Sequence, residues 1–360
     1  MSLRRRRPRT AFVLSGGGNL GAIQVGMLKA LAEHDIVPDL VLGCSVGALN
    51  GAGYARAPTR AGVARMERRW MAVDSPTLMP SSRIPSALQL VRKGESLHDN
   101  AGLRRTIDAM LEDQQHFGDL SIEFQCVATD VDSAMAHWFT SGPLAPAILA
   151  STALPAVYPP VTVEGVRYVD GGVVDNVPID RAVELGCTRI FVIHLGPHGR
   201  PDAHIRRPID GALLAYWLAR NSRFARDLAA LPDGVEAIVL PSGDRPDLRY
   251  DDFGSSPELI EQGYANTLAF LEARAAEIEA QRGGPTLRDA LARLRLPSGR
   301  GRTQAAERAA TDPHGAIVVG DEDGDSRRAE GDADEAADES ADAAEDGPGT
   351  DAGTGGRRRR

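Results

Sequence analysis

The sequence predicts an α/β fold: a three-layer sandwich whose mostly parallel central sheet is covered by helices on both faces. Short apolar runs alternate along the chain with helical patterns, which is typical of a parallel sheet joined by crossover helices. Two of these runs lead directly into glycine-rich turns that open helices. Of the 360 residues, 42% are hydrophobic and 25% are charged, which is enough apolar mass for a sizeable core.

The elements follow in order from hydrophobic periodicity. The first apolar run is followed by a helical pattern in which Ile23, Met27, Leu28 and Leu31 recur at spacings of three and four. We expect strands at residues 11–14, 40–42, 122–128, 137–139, 168–169, 189–195 and 235–240, and helices at 20–34, 46–56, 208–231 and 257–281.

Charge and composition divide the chain into three parts. Residues 1–9 form a basic extension, residues 10–296 the folded domain, and residues 297–360 a low-complexity acidic tail that we expect to be disordered. Within the domain, the motifs lie in residues 10–195 and a helical part in 205–296. Residues 321–360 hold 14 acidic residues and six arginines, whereas the whole chain carries −9, so the preceding body is nearly neutral. Such a body argues against nucleic acid as a partner.

Cysteines and apolar segments bear on the compartment. Cys44, Cys126 and Cys187 form no CxxC pair and no disulfide framework, which favours a reducing compartment and no thiolate zinc site. Residues 143–163 lack charge, but five prolines argue for buried loops rather than a membrane span. The arginines of the extension precede an apolar run that is too short for a signal peptide. We therefore expect a cytoplasmic protein, peripheral at membranes at most.

The second strand ends in Gly43-Cys44-Ser45-Val46-Gly47, immediately before a helix. This is the G-x-S-x-G pattern in the strand–turn–helix context that exposes a nucleophilic serine. Gly43 and Gly47 allow close backbone approach, and the helix N-terminus favours developing negative charge. We interpret Ser45 as a nucleophile; the alternative is a glycine-rich turn that only packs closely.

The first strand ends in Gly16-Gly17-Gly18-Asn19-Leu20-Gly21, which allows two interpretations. As G-x-G-x-x-G it would bind a dinucleotide in a Rossmann oxidoreductase, but Asp35 and Asp39 precede the second strand instead of ending it, where the ribose acid is expected. Alternatively, Gly16, Gly17 and Gly18 present backbone N–H groups as an oxyanion hole. Close packing that requires glycine, at Gly21 for example, is the plainer alternative.

The general base that accepts the Ser45 proton could be either a histidine or an aspartate. Among the histidines, His194 falls in a buried strand and His314 in the tail, whereas His198 and His204 lie in a loop where a base could sit. Asp170 follows a short strand and precedes Gly171 and Gly172, which leave its carboxylate uncrowded.

Together these segments resemble the patatin-like phospholipase family. The order is Gly-Gly-Gly-x-x-Gly, Gly-x-Ser-x-Gly and Asp-Gly-Gly, and the resemblance extends to Ala150-Ser-Thr-Ala-Leu-Pro155 and Asp175-Asn-Val-Pro178. It implies a Ser–Asp dyad without histidine, in which Ser45 is the nucleophile and Asp170 the base. It also implies lipid acyl esters as substrates and no metal or cofactor. Many members carry Arg or Lys where this chain has Leu20, so the oxyanion site would depend on backbone donors.

The long helix over 208–231 bears on membrane contact. It carries an apolar stripe of Leu213, Trp217, Phe224 and Leu228, with Arg220, Arg223 and Arg226 elsewhere. Such a helix lies either on an anionic bilayer, as a transient contact, or with its stripe against the core. A catalytically silent lipid-binding protein is the remaining alternative to an enzyme.

Overall fold

The computed structural model describes residues 8–73, 96, 98–195, 208–243, 252–282 and 317–319. Within these ranges one sheet runs through the molecule in the order β5-β6-β3-β2-β1-β7-β8-β9, with β4 beside β3. The strands are β1 Thr10–Leu14, β2 Leu40–Cys44, β3 Glu123–Asp130, β4 Ala136–Phe139, β5 Val161–Val163, β6 Val166–Asp170, β7 Arg189–Ile193, β8 Glu236–Val239 and β9 Ile317–Val319.

The parallel part of the sheet is its centre. Strands β3, β2, β1, β7 and β8 pair in parallel, whereas β4, β5, β6 and β9 pair antiparallel at the edges. The α/β class is confirmed, and the antiparallel edges make the sheet mixed.

Helices cover both faces of this sheet. They are α1 Gly21–Glu33, α2 Val46–Arg56, α3 Arg60–Met71, α4 Ala101–Leu111, α5 Leu144–Ser151, α6 Ile179–Glu184, α7 Pro208–Ala229 and α8 Ser256–Arg282. Side chains of β1 alternate between two cores: Phe12 and Leu14 pack with α1, α2 and α8, whereas Ala11 and Val13 pack with α6 and α7. The three-layer arrangement follows from this alternation.

Residues 143–163 differ from the expected loops and turns because they contain α5 and β5. Pro143 is the N-cap of α5 and Pro146 lies in its first turn, where the missing N–H would have no partner within the helix anyway. The prolines therefore start this helix instead of preventing it.

Several expectations fall outside the described residues. They concern residues 1–7, His198, His204, His314 and most of the tail, in which residues 317–319 form β9, a strand that composition did not predict. None of the described helices has both the length and the apolarity needed to cross a bilayer.

The site predicted from the motifs lies at one edge of the sheet. Gly16 follows β1, and Ser45 follows β2 directly. Strand β6 runs antiparallel to β3, and its last residue, Asp170, pairs with Ala128 of β3. The last residue of β2, Cys44, pairs with the adjacent β3 residue, Val127. Asp170 therefore lies level with the end of β2.

Candidate active site

Ser45 occupies a strained turn between β2 and α2. Its φ of 54° and ψ of −125° lie in a region that residues with a side chain rarely adopt. A Cβ on Gly43 would overlap the Gly47 carbonyl oxygen, and a Cβ on Gly47 would overlap that of Leu14. Glycine is required at both positions because the backbones pass so closely, which agrees with the G-x-S-x-G interpretation.

Ser151 fixes this turn from the side. Its Oγ accepts a hydrogen bond from the Ser45 N–H (3.0 Å) and donates to the carbonyl oxygen of Val127 (2.6 Å). The nucleophile turn is thereby tied to β3 through a completely buried hydroxyl. Ser151 belongs to the segment 150–155 that resembles the family, but the sequence alone assigned it no role.

Asp170 faces Ser45 at the end of β6. The Ser45 hydroxyl donates to Asp170 Oδ2 at 2.6 Å, and the Gly172 N–H donates to Oδ1 at 2.7 Å. Only 2% of Asp170 is exposed, and its backbone is held by Ala153 and Thr129 (both 2.9 Å). The structure thus brings together the serine and the carboxylate that the sequence singled out.

Burial is the main influence on the Asp170 carboxyl. It raises the pKa of Asp170 above its usual value, while hydrogen bonds from Ser45 and Gly172 and the charge of Arg220 oppose this rise. A carboxylate with a raised pKa is a stronger base than an ordinary aspartate, so this environment suits proton transfer from the serine.

We expect the raised pKa to appear in the pH dependence of ester hydrolysis. Only ionised Asp170 accepts a proton, so kcat/KM for a neutral ester should rise with pH through a limb centred above the ordinary value of 3.8. Steady-state rates on p-nitrophenyl butyrate, measured between about pH 4 and 9, would define this limb. A plateau that extends down to the ordinary carboxyl pKa would contradict the assignment of Asp170 as a desolvated base.

The three glycines after β1 have different roles. The N–H of Gly16, one of the three expected oxyanion donors, already donates to the Asn176 carbonyl oxygen (3.3 Å). Gly16 supplies space instead, because its Cβ would lie 3.0 Å from Ser45 Cβ and 2.6 Å from Asn176 Oδ1. Within the described residues, no hydrogen bond occupies the N–H groups of Gly17 or Gly18. These two remain the candidate donors.

Gly21 and Gly171 are also sites of close packing. A Cβ on Gly21 would overlap Val46, and one on Gly171 would overlap the Val127 carbonyl oxygen. Around Gly172, Tyr216 Oη, Asn176 Oδ1 and Asp170 Oδ1 lie 2.6, 2.9 and 3.0 Å from the position a Cβ would take. The Asp-Gly-Gly segment is therefore packed from all sides.

A buried polar network supports the glycine segment. Gln24 Nε2 donates to the carbonyl oxygens of Ser15 (2.8 Å) and Ile193 (3.2 Å), which links β1 to β7 just before Gly16. Asn50 Nδ2 donates to Gln24 Oε1 and to the Gly21 carbonyl oxygen, both at 2.9 Å, and Trp70 Nε1 donates to Asn50 Oδ1. Sequence reasoning missed these residues because their partners are distant in the chain.

The described histidines stand apart from the dyad. None of those at positions 34, 98, 116, 137 and 194 forms a hydrogen bond with Ser45 or Asp170. His194 lies just beyond β7 rather than inside it, and its ring stacks on Phe224 at 4.4 Å.

The dinucleotide interpretation of the glycines loses its remaining support. Asp39 accepts a hydrogen bond from the Thr10 N–H (2.8 Å), at the opposite end of β1 from Gly16. Ser45 occupies the end of β2, where a ribose-binding acid would be needed.

Asp175, Asp180 and Asp227 form an acidic cluster whose carboxyl oxygens lie within 4.8 Å of one another. Arg223 forms an ion pair with each of them, at 3.5 Å from Asp175, 2.7 Å from Asp180 and 3.3 Å from Asp227. Its Nη1 also donates to the Val174 carbonyl oxygen (2.6 Å), so the cluster fastens α7 to the loop after Asp170.

The chain is similar to proteins of one family. Residues 12–183 match the patatin-like phospholipase family. The chain is 30% identical over 210 residues to patatin-like phospholipase domain-containing protein 7 of Rattus norvegicus, covering 58% of this chain and 15% of that protein. It is 34% identical over 214 residues to lysophospholipase nte1 of Aspergillus niger, covering 58% and 13%. VipD from Legionella pneumophila aligns at 14% identity and a TM-score of 0.39, over 74% of this chain and 67% of that one.

The match to the curated relatives concerns a small part of those proteins. It spans 15% of the length of the rat protein and 13% of the fungal one. The motifs with Ser45 and Asp170 both lie inside the family match, whereas α7 and α8 lie beyond its end.

Proposed function

The chain carries a patatin-like phospholipase domain over residues 12–183, and from this premise we propose that it is a serine acyl hydrolase of phospholipase or lysophospholipase type. The observation that carries the proposal is the 2.6 Å hydrogen bond between Ser45 Oγ, in its strained turn, and the buried Asp170 Oδ2. Relatives named as phospholipases and as lysophospholipase support acyl esters of lipids as the substrate class.

The first half of the reaction forms an acyl-enzyme. Ser45 Oγ attacks the ester carbonyl carbon while its proton passes to Asp170 Oδ2. The resulting oxyanion is stabilised by the N–H groups of Gly17 and Gly18 and by the N-terminal end of α2. When the tetrahedral intermediate collapses, the ester C–O bond breaks and Asp170 returns the proton to the leaving alcohol.

The second half releases the fatty acid. A water molecule attacks the acyl carbonyl, Asp170 accepts one of its protons, and the Ser45–acyl bond breaks as that proton returns to Ser45 Oγ. Every proton is thus carried by one carboxylate. No metal or cofactor is required for any of these steps.

Membrane contact forms part of the proposal. Val173, three residues after Asp170, is 44% exposed, and Leu218 on α7 is 52% exposed. Val173, an exposed apolar side chain close to Asp170 in the chain, suits brief contact with a lipid surface. In the apolar stripe of α7, Phe224 and Leu228 pack against the core, which is the second of the two alternatives for this helix and not the bilayer contact. We assign the hydrolase domain to residues 10–296.

Covalent labelling tests this function on the full chain. We expect a fluorophosphonate probe to label the wild-type protein at Ser45, and expect hydrolysis of at least one ester among p-nitrophenyl butyrate, 1-oleoylglycerol and oleoyl lysophospholipids. Mass spectrometry of the labelled peptide identifies the site.

Ser45→Ala should abolish both labelling and hydrolysis. Ser121→Ala is the matched control, since Ser121 is exposed and its hydroxyl donates to the Arg56 carbonyl oxygen (2.9 Å) far from the dyad. A folded wild-type protein that neither reacts with the probe nor hydrolyses any ester would favour a silent lipid-binding protein instead.

A further inference from the structure

The glycine segment brings backbone donors to the site but no cationic side chain. Residues 16–21 contain no Arg or Lys, and Leu20 is only 6% exposed within the hydrophobic core. Any positive charge that acts on a substrate beside Ser45 must therefore come from another element.

Helix α7 brings such a charge to the dyad. A Cβ placed on Gly172 would lie 2.6 Å from Tyr216 Oη and 3.0 Å from Asp170 Oδ1, so the Tyr216 hydroxyl is close to the catalytic carboxylate. One turn further along α7, the Arg220 guanidinium lies over the Tyr216 ring, with Cζ at 5.0 Å from the ring centroid. This face of α7 therefore borders the Asp170-Gly171-Gly172 segment.

Arg220 differs from its neighbour Arg223 in what it binds. Arg223 pairs with Asp175, Asp180 and Asp227, so its charge is neutralised. Within the described residues Arg220 makes no ion pair; its side chain hydrogen-bonds the Tyr216 hydroxyl, while its Nε is buried without a hydrogen-bond acceptor. The charge of Arg220 acts on Asp170, whose pKa it lowers. A guanidinium with unused donors beside a reaction centre is suited to bind an anion.

We propose that Arg220 binds the phosphate group of the ester substrate next to Ser45, and so makes the enzyme select phosphate-bearing acyl esters over neutral ones. This inference rests on the proposed hydrolase function. It assigns a specificity-determining residue to α7, beyond the matched residues 12–183. A planar guanidinium donates two parallel hydrogen bonds to phosphate oxygens, which an ester without a phosphate does not offer.

A matched pair of substrates isolates this contact. 1-Oleoyl lysophosphatidate and 1-oleoylglycerol carry the same acyl ester and differ in the phosphate, and both are presented in identical detergent micelles. The measured quantity is the ratio of their kcat/KM values, taken at a pH on the plateau so that Asp170 is ionised throughout. Arg220→Gln should lower this ratio by about 10- to 100-fold, because a charged hydrogen-bond pair is lost. Arg220→Lys keeps the charge but not the planar guanidinium, so its substrate ratio should lie between those of the wild type and Arg220→Gln.

Arg226→Gln is the matched control. Arg226 lies on the same helix, is exposed, and donates from Nε to the Ser222 carbonyl oxygen. The Arg226→Gln substitution should leave the ratio of the two kcat/KM values unchanged. A ratio that stays within twofold of wild type in Arg220→Gln would overturn the proposal, whether both rates fall together or neither falls.

Inorganic phosphate distinguishes a substrate phosphate from a free anion. In the wild type it should compete with the lysophosphatidate, and Arg220→Gln should weaken this inhibition in parallel with the substrate ratio. If Arg220→Gln abolishes the inhibition but leaves the ratio intact, Arg220 holds a free anion and the specificity proposal is wrong. If the wild type is neither labelled by the fluorophosphonate nor active on any ester, the proposed function fails. If it hydrolyses p-nitrophenyl butyrate but not the lysophosphatidate, the specificity proposal alone is wrong.

Discussion

Replacing Asp170 with Asn is expected to lower kcat for ester hydrolysis by a factor on the order of 10³–10⁴ while leaving the fold intact. Asn has nearly the same shape as Asp. In the wild type the Gly172 N–H donates to Asp170 Oδ1 at 2.7 Å, and the Oδ1 of Asn can accept the same hydrogen bond. It has no basicity, so the proton of Ser45 Oγ has no acceptor during attack. The loss should therefore appear in turnover.

The thermal stability of Asp170→Asn should equal or exceed that of the wild type near neutral pH. Burial raises the pKa of Asp170 in the folded state. At a pH above this raised value, the buried charge costs stability relative to the unfolded chain, and Asn removes that cost. As the pH falls below the unfolded pKa of the aspartate, both states bind the proton and the difference should vanish. Melting temperatures across this pH range measure the effect.

Histidine variants provide the control for this prediction. His194→Gln, and the corresponding changes at His198 and His204, should keep most of the ester hydrolysis because the proton passes to Asp170. A folded histidine variant as inactive as Ser45→Ala would overturn the Ser–Asp dyad. A large fall in melting temperature for Asp170→Asn would show instead that the carboxylate is structural.

The parts of the site that the sequence predicted are those with local signatures. Ser45 stands between glycines that a tight strand-to-helix turn requires, and Asp170 precedes two glycines at a strand end. Such requirements can be recognised from residues that are neighbours in the sequence. The central strands were predictable for the same reason, since burial on both faces demands short, continuous apolar runs.

The rest of the site depends on contacts between distant segments. Ser151, Gln24 and Arg220 act on the dyad or on the glycine segment from elements far away in the chain. Their positions follow from packing of helices on the sheet, which no local pattern encodes. The helix over 144–151 was missed because its prolines were weighed without their place in the first turn, where they are tolerated.

Gly17 shows how the reason for a glycine differs from the expected one. A glycine in a tight turn often marks a backbone conformation that only glycine adopts readily, but the φ of Gly17, 172°, is an extended value that any residue adopts. The restriction comes from a neighbour: a Cβ on Gly17 would overlap Leu195 Cδ1, in a side chain only 2% exposed. Gly18 is the glycine with positive φ (63°), and it has open space around it.

Gly17→Ala is expected to lower kcat on the order of 10²–10³-fold while changing KM little. The added methyl group must displace either Leu195 or the backbone of residue 17, and displacement of the backbone moves the N–H that we assign to the oxyanion. That donor acts on charge present only in the transition state, so its loss affects turnover rather than substrate binding. Steady-state kinetics on a soluble ester, with melting temperatures measured in parallel, tests this split.

A second variant separates displacement from other causes. Leu195→Ala removes the overlapping atoms, and its Cβ would lie at an ordinary 3.5 Å from the new methyl group. Leu195→Ala alone should cost about 2–5 kcal/mol of stability, because it empties buried space, but should keep turnover. In the double variant the backbone of residue 17 can return, so kcat should recover most of its wild-type value. Full turnover in Gly17→Ala alone would contradict the expected displacement of the backbone, because it would show that the Leu195 side chain yields instead. A loss of turnover that Leu195→Ala does not restore would contradict displacement as its cause.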